Sequence, residues 1–433
     1  MSRFLFATFG SLGDLHPYIA VSRELVNRGH EAIIIGVDGH REAVEAAGIE
    51  FGAIASGHTE LVDYETMVTR IFDLRHGLKY LMSHLVMPFL EPAYHYLLQA
   101  SEGADLLVSH PLAVTLPLVA ERKGLPWVST VLSPMSLLSR RDPPVIAAAP
   151  WLNRFGPVGS GVYRLLFSLL RKSVRNWETP LQDFRRSHGF RPSRKLALFE
   201  GQFSPLCNLA LFDHQLAHPQ LDWPMNTRIC GSAVFDGKSP DQEVIDELKE
   251  FLEAGEPPIV IALGSSVAWI AGEFWKNAIE AVTRLRRRAI LITGPKSPAS
   301  SSADIKVFSA LPYSMVFPYA SVIVHQGGIG TLSQALRSGH PQLIVPHGFD
   351  QPDNAKRAAA LGLAKVLPFR TLTPRKITRA LDELINSSRY AHAAAAVAMD
   401  LKQSNGAARA ATELIACLSG SQGTGTLSVQ DKL

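Results

Sequence analysis

The chain has 433 residues, of which 46% are hydrophobic and 19% are charged. A chain of this length and balance folds into two or three globular domains and is not disordered. The net charge of +4 is too small and too dispersed for a nucleic-acid partner, and the three cysteines form no CxxC pair. These values argue against nucleic-acid binding, a disulfide framework and a cysteine-rich zinc site.

The N-terminus lacks the pattern of an export signal. The apolar run at residues 4–9 is too short for the hydrophobic region of a signal peptide, and Gly10 ends it. No run of about 18 apolar residues occurs anywhere in the chain. We therefore expect a cytoplasmic protein, with peripheral contact at the inner membrane as its closest approach to lipid.

The first half of the chain is typical of a parallel α/β domain. Continuous apolar runs, the pattern of strands covered on both faces, occupy residues 4–9, 32–37, 106–108 and 127–131. Pro17 suits the first position of a helix, and Gly29 suits the position after its end. The segment 57–228 is less regular, and both helices packed on the sheet and an apolar binding cleft stay open for it.

A second α/β pattern follows. Its strands are predicted at residues 259–263, 289–293, 322–325, 342–345 and 365–367, and its helices at 274–287, 331–337, 353–361 and 374–385. We therefore expect α/β domains at 1–235 and 236–388, one closing helix at 389–418 and a disordered tail at 419–433. Two doubly wound, Rossmann-like domains would face each other across a central cleft, where such sheets bind ligands.

The segment from His325 to Ser333 follows an apolar strand and opens a helix. Its glycines, which let a ligand approach the backbone closely, are Gly327, Gly328 and Gly330. The N–H groups of the helix start, through Thr331, favour an anion, and His325 can add a hydrogen bond or a positive charge. By itself the segment fits a diphosphate cradle and a glycine-rich turn with a core histidine equally well.

Other polar residues follow neighbouring strands of the second half. Asp350 and Gln351 come at the next strand-to-helix turn, where a carboxylate beside an amide can hold a vicinal diol. A helix N-cap is the alternative for Asp350. Ser265 and Ser266 follow the first strand of this half and can reach a diphosphate from the other side.

The first half carries a matching loop at residues 10–17. Asp14 in this loop is either a helix cap or a general base that points into the cleft, and His16 is a weaker candidate for the base. No DxD pair occurs in the chain, so no metal-bridged diphosphate site is expected. Amide donors and helix dipoles would stabilise the diphosphate instead, and no metal ligands are predicted.

These motifs resemble family 1 glycosyltransferases of the GT-B fold over nearly the whole chain. The strongest matches are GSxGDxxP at residues 10–17 and HxGGxGTxxxAxxxGxPxxxxPxxxDQxxNA at residues 325–355. The stretch 219–237 (PxxDWP, then Gly and FDG) is similar to the branch that contains sterol glucosyltransferases, glycopeptide glycosyltransferases and the rhamnosyltransferase of rhamnolipid synthesis. Residues 133–145 and 251–255 look closest to the catalytic subunit of that rhamnosyltransferase.

The resemblance implies a metal-independent, inverting transfer of a sugar from a UDP- or dTDP-linked donor to a hydroxyl of a lipophilic small molecule, with no other cofactor. Asp14 would take the proton of the acceptor, alone or with His16, and Ser11 and His110 would touch the acceptor. The donor would be held by Ser265, Ser266, Leu311, Tyr313, His325, Gly327, Gly328, Gly330, Thr331, Asp350 and Gln351. The tryptophan that stacks on uracil in plant relatives is absent near Ala310, so uracil and thymine both stay open.

Several functions remain open. Rhamnosyl transfer from dTDP-rhamnose to a hydroxy-fatty-acid dimer is the favoured one, and hexosyl transfer to a sterol, hopanoid or polyketide is the alternative. A sugar-nucleotide 2-epimerase would need further acid and base carboxylates near the sugar. A non-catalytic accessory subunit would usually lack His325, the Asp350–Gln351 pair or Asp14, and the chain keeps all of them.

Overall fold

The structure, a computed structural model, describes residues 1–54, 64–148, 160–294 and 300–422. The strands of the first domain are β1 (Arg3–Ala7), β2 (Glu31–Gly36), β3 (Glu50–Ala53), β4 (Leu106–Ser109), β5 (Trp127–Val131), β6 (Asn208–Ala210) and β7 (Thr227–Ile229). Those of the second are β8 (Ile259–Ala262), β9 (Ala289–Ile292), β10 (Ile305–Phe308), β11 (Val322–His325), β12 (Gln342–Ile344) and β13 (Ala364–Val366).

Helices cover both sheets. In the first half they are α1 (Leu12–Asn27), α2 (Arg41–Ala46), α3 (Tyr64–Ile71), α4 (Gly77–Tyr80), α5 (Leu90–Ala100), α6 (Leu116–Lys123), α7 (Ser160–Trp177) and α8 (Thr179–Ser187). In the second half they are α9 (Gln242–Glu253), α10 (Gly264–Val267), α11 (Phe274–Leu285), α12 (Tyr313–Val316), α13 (Ile329–Ser338), α14 (Gln351–Ala360), α15 (Pro374–Asn386), α16 (Ser388–Leu401) and α17 (Gly406–Gln422). Within the residues that the structure describes, no helix combines the length and the apolar character that a membrane span requires.

All strand pairs in both sheets are parallel. The first sheet has the order β3-β2-β1-β4-β5-β6-β7, and the second has the order β10-β9-β8-β11-β12-β13. The strand order reverses between β1 and β4 in the first sheet and between β8 and β11 in the second. At such a reversal the connections leave in opposite directions and open a crevice at the carboxyl ends of the strands.

The continuous apolar strands are explained by burial on both faces. Phe4 and Phe6 of β1 pack in one hydrophobic cluster, whereas Leu5 and Ala7 pack in another on the opposite face. Successive side chains of a strand point to opposite faces, so a strand between two helical layers needs apolar residues at every position. The prediction of parallel sheets from continuous runs is therefore confirmed.

The sequence analysis did not predict four of the described strands, which are β3, β6, β7 and β10. The segment of β3 contains a glutamate and a glycine, and β6 and β7 have only three residues each. These strands form because neighbouring strands offer paired backbone groups, and their side chains give only a weak apolar pattern. Short or mixed strands at the outer part of a sheet are therefore hard to predict from sequence.

The first helix begins earlier than predicted. It starts at Leu12 and contains Pro17 in its interior, so the prediction that Pro17 opens the helix is wrong. The backbone N–H and the side-chain hydroxyl of Ser11 both donate to the Asp14 carboxylate, which stabilises the earlier start. Asp14 and His16 therefore belong to the first turns of α1 and not to a loop before it.

The C-terminal segment forms two helices where one was predicted at residues 389–418. α16 packs against α13 of the second domain, whereas α17 packs against α1 of the first domain and continues to Gln422. Ala410 and Leu414 of α17 share a buried cluster with Phe4. The chain thus returns to the first domain, and the rest of the predicted disordered tail, residues 423–433, lies outside the described residues.

Candidate functional site

The predicted site residues of the first domain lie where its strand order reverses. Asp14 follows β1, and His110 follows β4, the strand next to β1 in the sheet. Nearly a hundred residues separate the two in sequence, and the parallel pairing of β1 with β4 brings them together. The Asp14 Oδ1 atom lies 3.6 Å from Nε2 of His110.

Asp14 caps its helix and faces the cleft at the same time. Its Oδ2 accepts hydrogen bonds from the backbone N–H of Ser11 at 2.8 Å and from the Ser11 hydroxyl at 3.0 Å. Its Oδ1 remains for His110, and 35% of the Asp14 side chain is exposed. The two roles considered from sequence are therefore compatible, because each uses a different carboxylate oxygen.

The environment of Asp14 keeps it ionised. Burial by itself raises the pKa of this carboxyl, but the hydrogen bond and charge of His110 and the donors of Ser11 outweigh it and lower the pKa below the usual value. Nδ1 of His110 accepts from the Leu112 backbone N–H at 3.1 Å, so Nε2 carries a ring proton and directs it toward Asp14. Asp14 can therefore accept a proton, and until it does so the His110 imidazole stabilises its negative charge.

His16 points elsewhere. It packs edge-on against Phe235, with ring centroids 5.4 Å apart. Burial lowers the pKa of His16 to about 4, against an opposing effect of the Asp236 carboxylate and with a small contribution from His40. The histidine next to Asp14 is therefore His110 and not His16, the one considered from sequence.

His40 is a further histidine near Asp14 that the sequence analysis did not identify. Its Nε2 lies 3.0 Å from the carbonyl oxygen of Gly10, which fixes the loop before α1. Burial lowers the pKa of His40, while Gly10 and the charge of Asp14 act in the opposite direction. No motif marked this residue, because it follows β2 and reaches the site only through the pairing of β2 with β1.

A cavity of about 580 Å³ opens beside His110. Its lining comes from β4, β5, α6, α8 and the segment before β6, and includes Ser109, His110, Leu118, Trp127, Arg185 and Lys195. His110 thus lies both on this cavity and next to Asp14. The described part of the segment 57–228 supplies helices that pack on the sheet and the lining of this cavity, the two alternatives considered from sequence. Residues 57–63 and 149–159 of that segment lie outside the described residues.

Asp350 faces Asp14 from the second domain. The pKa of Asp350 is raised to about 7, mainly by burial and also by the charge of Asp14, while the hydrogen bond of Asn354 acts in the opposite direction. The amide nitrogen of Asn354 donates to Asp350 Oδ2 at 2.8 Å and to the Gly327 carbonyl at 3.0 Å. Asn354 therefore links the predicted sugar clamp to the predicted diphosphate cradle.

Gln351 is largely engaged within the protein. Its side-chain oxygen accepts from the backbone N–H groups of His347 at 2.8 Å and Gly348 at 3.3 Å. The side chain is therefore a support for the turn before α14, and only its remaining amide group can serve a sugar. Asp350 occupies the N-cap position of α14 but makes no side-chain cap bond, which leaves its carboxylate for the cleft.

The cradle at the start of α13 has the features of an anion site. Gly328 is the N-cap residue, and no side chain caps the helix. A Cβ on Gly327, whose φ is +88°, would lie 2.9 Å from Ile344, and a Cβ on Gly328 would lie 2.8 Å from the Gln326 amide. The left-handed φ and the close approach to Ile344 require glycine at Gly327, whereas at Gly328 a Cβ would displace only the end of the Gln326 side chain. The free N–H groups that follow, through Gly330 and Thr331, favour a negative charge.

His325 is enclosed and does not face the cradle. Its ring is fully buried, its Nδ1 accepts from the Gly327 backbone N–H at 3.1 Å, and its Nε2 lies 3.1 Å from the Gln342 side-chain oxygen. Burial lowers the pKa of His325 to about 4, so the ring is neutral. Of the two contributions considered from sequence, a hydrogen bond or a positive charge, a neutral ring does not supply the charge, and its hydrogen bond holds the turn at Gly327.

The remaining predicted donor residues differ in their surroundings. Ser265 is exposed at the start of α10, and the Ser266 hydroxyl is hydrogen-bonded to Tyr64 from the first domain. The Tyr313 hydroxyl contacts the Thr331 side chain and the Gly264 backbone, which places it beside the cradle. Leu311 is buried in a hydrophobic cluster with Phe317 and can offer only backbone atoms.

Two protein families match the chain, one in each half. Residues 4–137 match the glycosyltransferase family 28 N-terminal domain. Residues 291–417 match the C-terminal domain of erythromycin biosynthesis protein CIII-like proteins. The first match includes β1 and β4 with Asp14 and His110, and the second includes the turn from β11 into α13 with Asp350.

Two curated relatives show which kinds of enzyme the chain is similar to. The chain is 30% identical over 371 residues to O-mycaminosyltylonolide 6-deoxyallosyltransferase of Streptomyces fradiae, with 84% of each chain covered. It is 27% identical over 427 residues to sterol 3-beta-glucosyltransferase of Debaryomyces hansenii, which covers 93% of this chain but only 26% of that relative. The chain therefore spans about a quarter of the sterol enzyme's length.

Solved structures share the architecture. The crystal structure of glycosyltransferase VinC in complex with DTDP superposes with a TM-score of 0.68, at 18% identity, over 96% of this chain and 100% of that one. The expectation of two facing Rossmann-like domains in the GT-B arrangement is thereby confirmed.

Proposed function

The chain belongs to the glycosyltransferases with a family 28 N-terminal domain and an EryCIII-like C-terminal domain, and from this premise we propose how it acts. It is a hexosyltransferase. In our proposal it moves a sugar from a nucleoside-diphosphate donor to a hydroxyl of a lipophilic acceptor. The Asp14–His110 pair, which lies across the cleft from Asp350, is the observation that carries this proposal.

The proposed chemistry is an inverting displacement. Asp14 takes the proton of the acceptor hydroxyl as its oxygen attacks the anomeric carbon, and the carbon–diphosphate bond breaks on the opposite side. The nearby His110 imidazole and the two donors of Ser11 keep Asp14 ionised before the transfer. The uncapped N–H groups at the start of α13 stabilise the charge of the departing diphosphate, so no metal ion is required for this step.

The donor is proposed to be dTDP- or UDP-linked. Thr331 and Tyr313 flank the cradle that would receive the diphosphate, and Asp350 would hold the sugar with the remaining amide group of Gln351. Support for a thymidine nucleotide comes from the fold shared with VinC, which was solved with DTDP. Support for a glucosyl donor comes from the sterol glucosyltransferase relatives.

The acceptor is proposed to enter the cavity beside His110, and Ser11, which is hydrogen-bonded to Asp14, is proposed to touch it. The volume and partly apolar lining of the cavity suit an amphiphilic molecule larger than a simple alcohol. We favour rhamnosyl transfer to a hydroxy-fatty-acid acceptor, and glucosyl transfer to a sterol or a polyketide is the second candidate, with the macrolide and sterol relatives in its favour. Action in the cytoplasm, with peripheral contact at the inner membrane, is part of this proposal.

The experiment compares wild-type protein with Asp14→Asn in the presence of EDTA. We expect both proteins to be stabilised thermally by the same nucleotide, and the turnover of Asp14→Asn to be lower by ~100-fold or more. Asparagine can still accept from Ser11, so the helix start is retained. Equal turnover in the two proteins would mean that Asp14 is only a helix cap.

The same assay distinguishes the donors. Selective stabilisation by dTDP and dTDP-rhamnose supports the rhamnosyl proposal and directs the acceptor screen to hydroxy-fatty acids. Selective stabilisation by UDP and UDP-glucose supports transfer to a sterol or another natural product. If none of the four ligands stabilises the wild-type protein, the diphosphate site is refuted and the accessory-subunit alternative gains support.

A further inference from the structure

Three side chains of the first domain converge on its surface, on α5 and after α8. Glu91 and His95 are one helical turn apart on α5, and His188 is the C-cap residue of α8. Nε2 of His95 lies 2.9 Å and Nε2 of His188 lies 3.1 Å from the same oxygen, Glu91 Oε1. One ligand atom from each residue lies within 4.8 Å of the other two.

The donor set is one that binds transition metals. Two imidazole nitrogens and one carboxylate oxygen are typical ligands of a zinc ion that keeps a position for water. At metal–ligand distances of about 2.0–2.1 Å, neighbouring ligand atoms of a tetrahedral site are roughly 3.3 Å apart. The nitrogen–oxygen distances of 2.9 and 3.1 Å are close to this separation.

Nδ1 of His188 is hydrogen-bonded within its own helix end, which leaves Nε2 directed toward Glu91 Oε1. Nδ1 lies 3.1 Å from the backbone oxygen of Phe184 and 3.1 Å from the Ser187 hydroxyl. When Nδ1 donates to the Phe184 oxygen, the lone pair of Nε2 is available to a metal ion, and metal-bound histidines commonly donate their other N–H to a backbone carbonyl.

His188 is held in place before any ligand binds. Its ring stacks on Phe184 with centroids 4.0 Å apart and meets the edge of Tyr94 at 5.6 Å, and its backbone oxygen accepts from Arg122. Glu91 and His95 are more exposed, with 55% and 61% of their side chains accessible. One fixed and two adjustable ligands at the surface give an ion access from solvent and room for a water.

We propose that Glu91, His95 and His188 bind a divalent transition-metal ion of the zinc class, with water as a further ligand. The ion fastens the end of α8 to α5. Leu181 and Arg185 of α8 line the cavity beside His110, so the ion stabilises one wall of that cavity. None of the three ligands belongs to the proposed transfer site, and the ion takes no part in sugar transfer.

The test uses the full-length, untagged protein after removal of bound metal with a chelator. Calorimetric titration with Zn²⁺, and with Co²⁺ as a visible-absorbing probe, should show one ion per chain. His188→Gln and His95→Gln should each weaken the affinity by more than ~10-fold, the loss seen when even an outer partner of a ligand is removed. The matched control is His76→Gln, because His76 is an exposed histidine paired 3.1 Å from one carboxylate, Asp73, and should bind as the wild type does.

Thermal unfolding provides the second measurement. Zn²⁺ should raise the Tm of wild-type protein and of His76→Gln, but not that of Glu91→Gln, which keeps the size of the side chain and removes its charge. The proposal is overturned if the wild type binds no stoichiometric ion, or if the ligand variants bind it equally well. A wild type that binds no ion would leave the group as a set of hydrogen bonds between two imidazoles and a carboxylate. Nucleotide stabilisation in EDTA is a separate readout, so failure here does not affect the proposed function.

Discussion

At the scale of single residues, Asp14 shows how one carboxylate is positioned by its own helix. One oxygen is fixed by the two donors of Ser11, and the other faces His110. A carboxylate held in this way loses little conformational entropy when it accepts a proton, because its rotamer is already set. The pKa of Asp14 depends on His110 more than on the other groups that lower it, which makes the pair testable by pH.

We expect His110→Phe to move the acid limb of the activity–pH profile to higher pH. His110 lowers the pKa of Asp14, so its loss raises that pKa, and protonation then inactivates the base at a higher pH. Phenylalanine keeps a ring of similar width but removes Nε2–H. The measurement is kcat/KM against pH, with His84→Phe as the control on an exposed histidine. An unshifted acid limb would show that His110 does not tune Asp14.

Sequence reasoning identified Asp14 but considered His16 as its partner. Two residues along an α-helix correspond to a rotation of about 200°, so the His16 side chain leaves α1 on another face and packs against Phe235. The actual partner comes from the end of β4. A residue pair that depends on strand pairing has no spacing in the sequence by which it could be recognised.

At the scale of secondary-structure elements, the turn from β11 into α13 forms the proposed donor site. Gly327 has a steric reason to be glycine, because its φ is +88° and a Cβ there would lie 2.9 Å from Ile344. The sequence left a core position of His325 as one of two alternatives. His325 is the last residue of β11, which lies between β8 and β12, and its ring is fully buried.

We expect His325→Ala to weaken nucleotide binding although the ring does not face the cradle. The ring holds the backbone N–H of Gly327, so its loss loosens the turn that presents the N–H groups of α13. Binding of dTDP and UDP is measured by calorimetry well below the Tm, and we expect a loss of ~10-fold, equivalent to about 1.4 kcal/mol. The control is His340→Ala. His340 precedes β12, at the opposite end of the strands, and its Nε2 lies 3.0 Å from the backbone oxygen of Pro318. Unchanged affinity would show that His325 does not position this turn.

At the scale of the whole molecule, a buried ion pair joins the two domains to the returning C-terminal segment. Asp213 of the first domain is fully buried and accepts from Ser232 and from Arg337 of α13 at 3.1 Å. Arg337 also donates to the backbone oxygens of Leu401 and Ser404, each at 3.0 Å, where α16 ends and the chain crosses back. One guanidinium thus connects three parts of the fold.

We expect Arg337→Met to lower the free energy of unfolding by about 3–5 kcal/mol, because it leaves the buried Asp213 without its cation. The matched control is Arg284→Met, which removes an exposed arginine paired with Glu280 one turn away on α11. That pair should contribute less than about 1 kcal/mol. The measurement is chemical unfolding of the apo protein, and equal losses for the two variants would contradict a special role of Arg337.

The sequence by itself determined the class of fold, most central strands and the two segments that carry Asp14 and the glycine-rich cradle. These features are local, since burial on both faces dictates continuous apolar strands and tight turns dictate glycine. Only the tertiary structure decided that His110 serves Asp14, that His325 is buried, that the C-terminal segment divides between the domains, and that Glu91, His95 and His188 meet. Each of these depends on strand order or helix packing, which join residues far apart in the chain and leave no fixed spacing in the sequence.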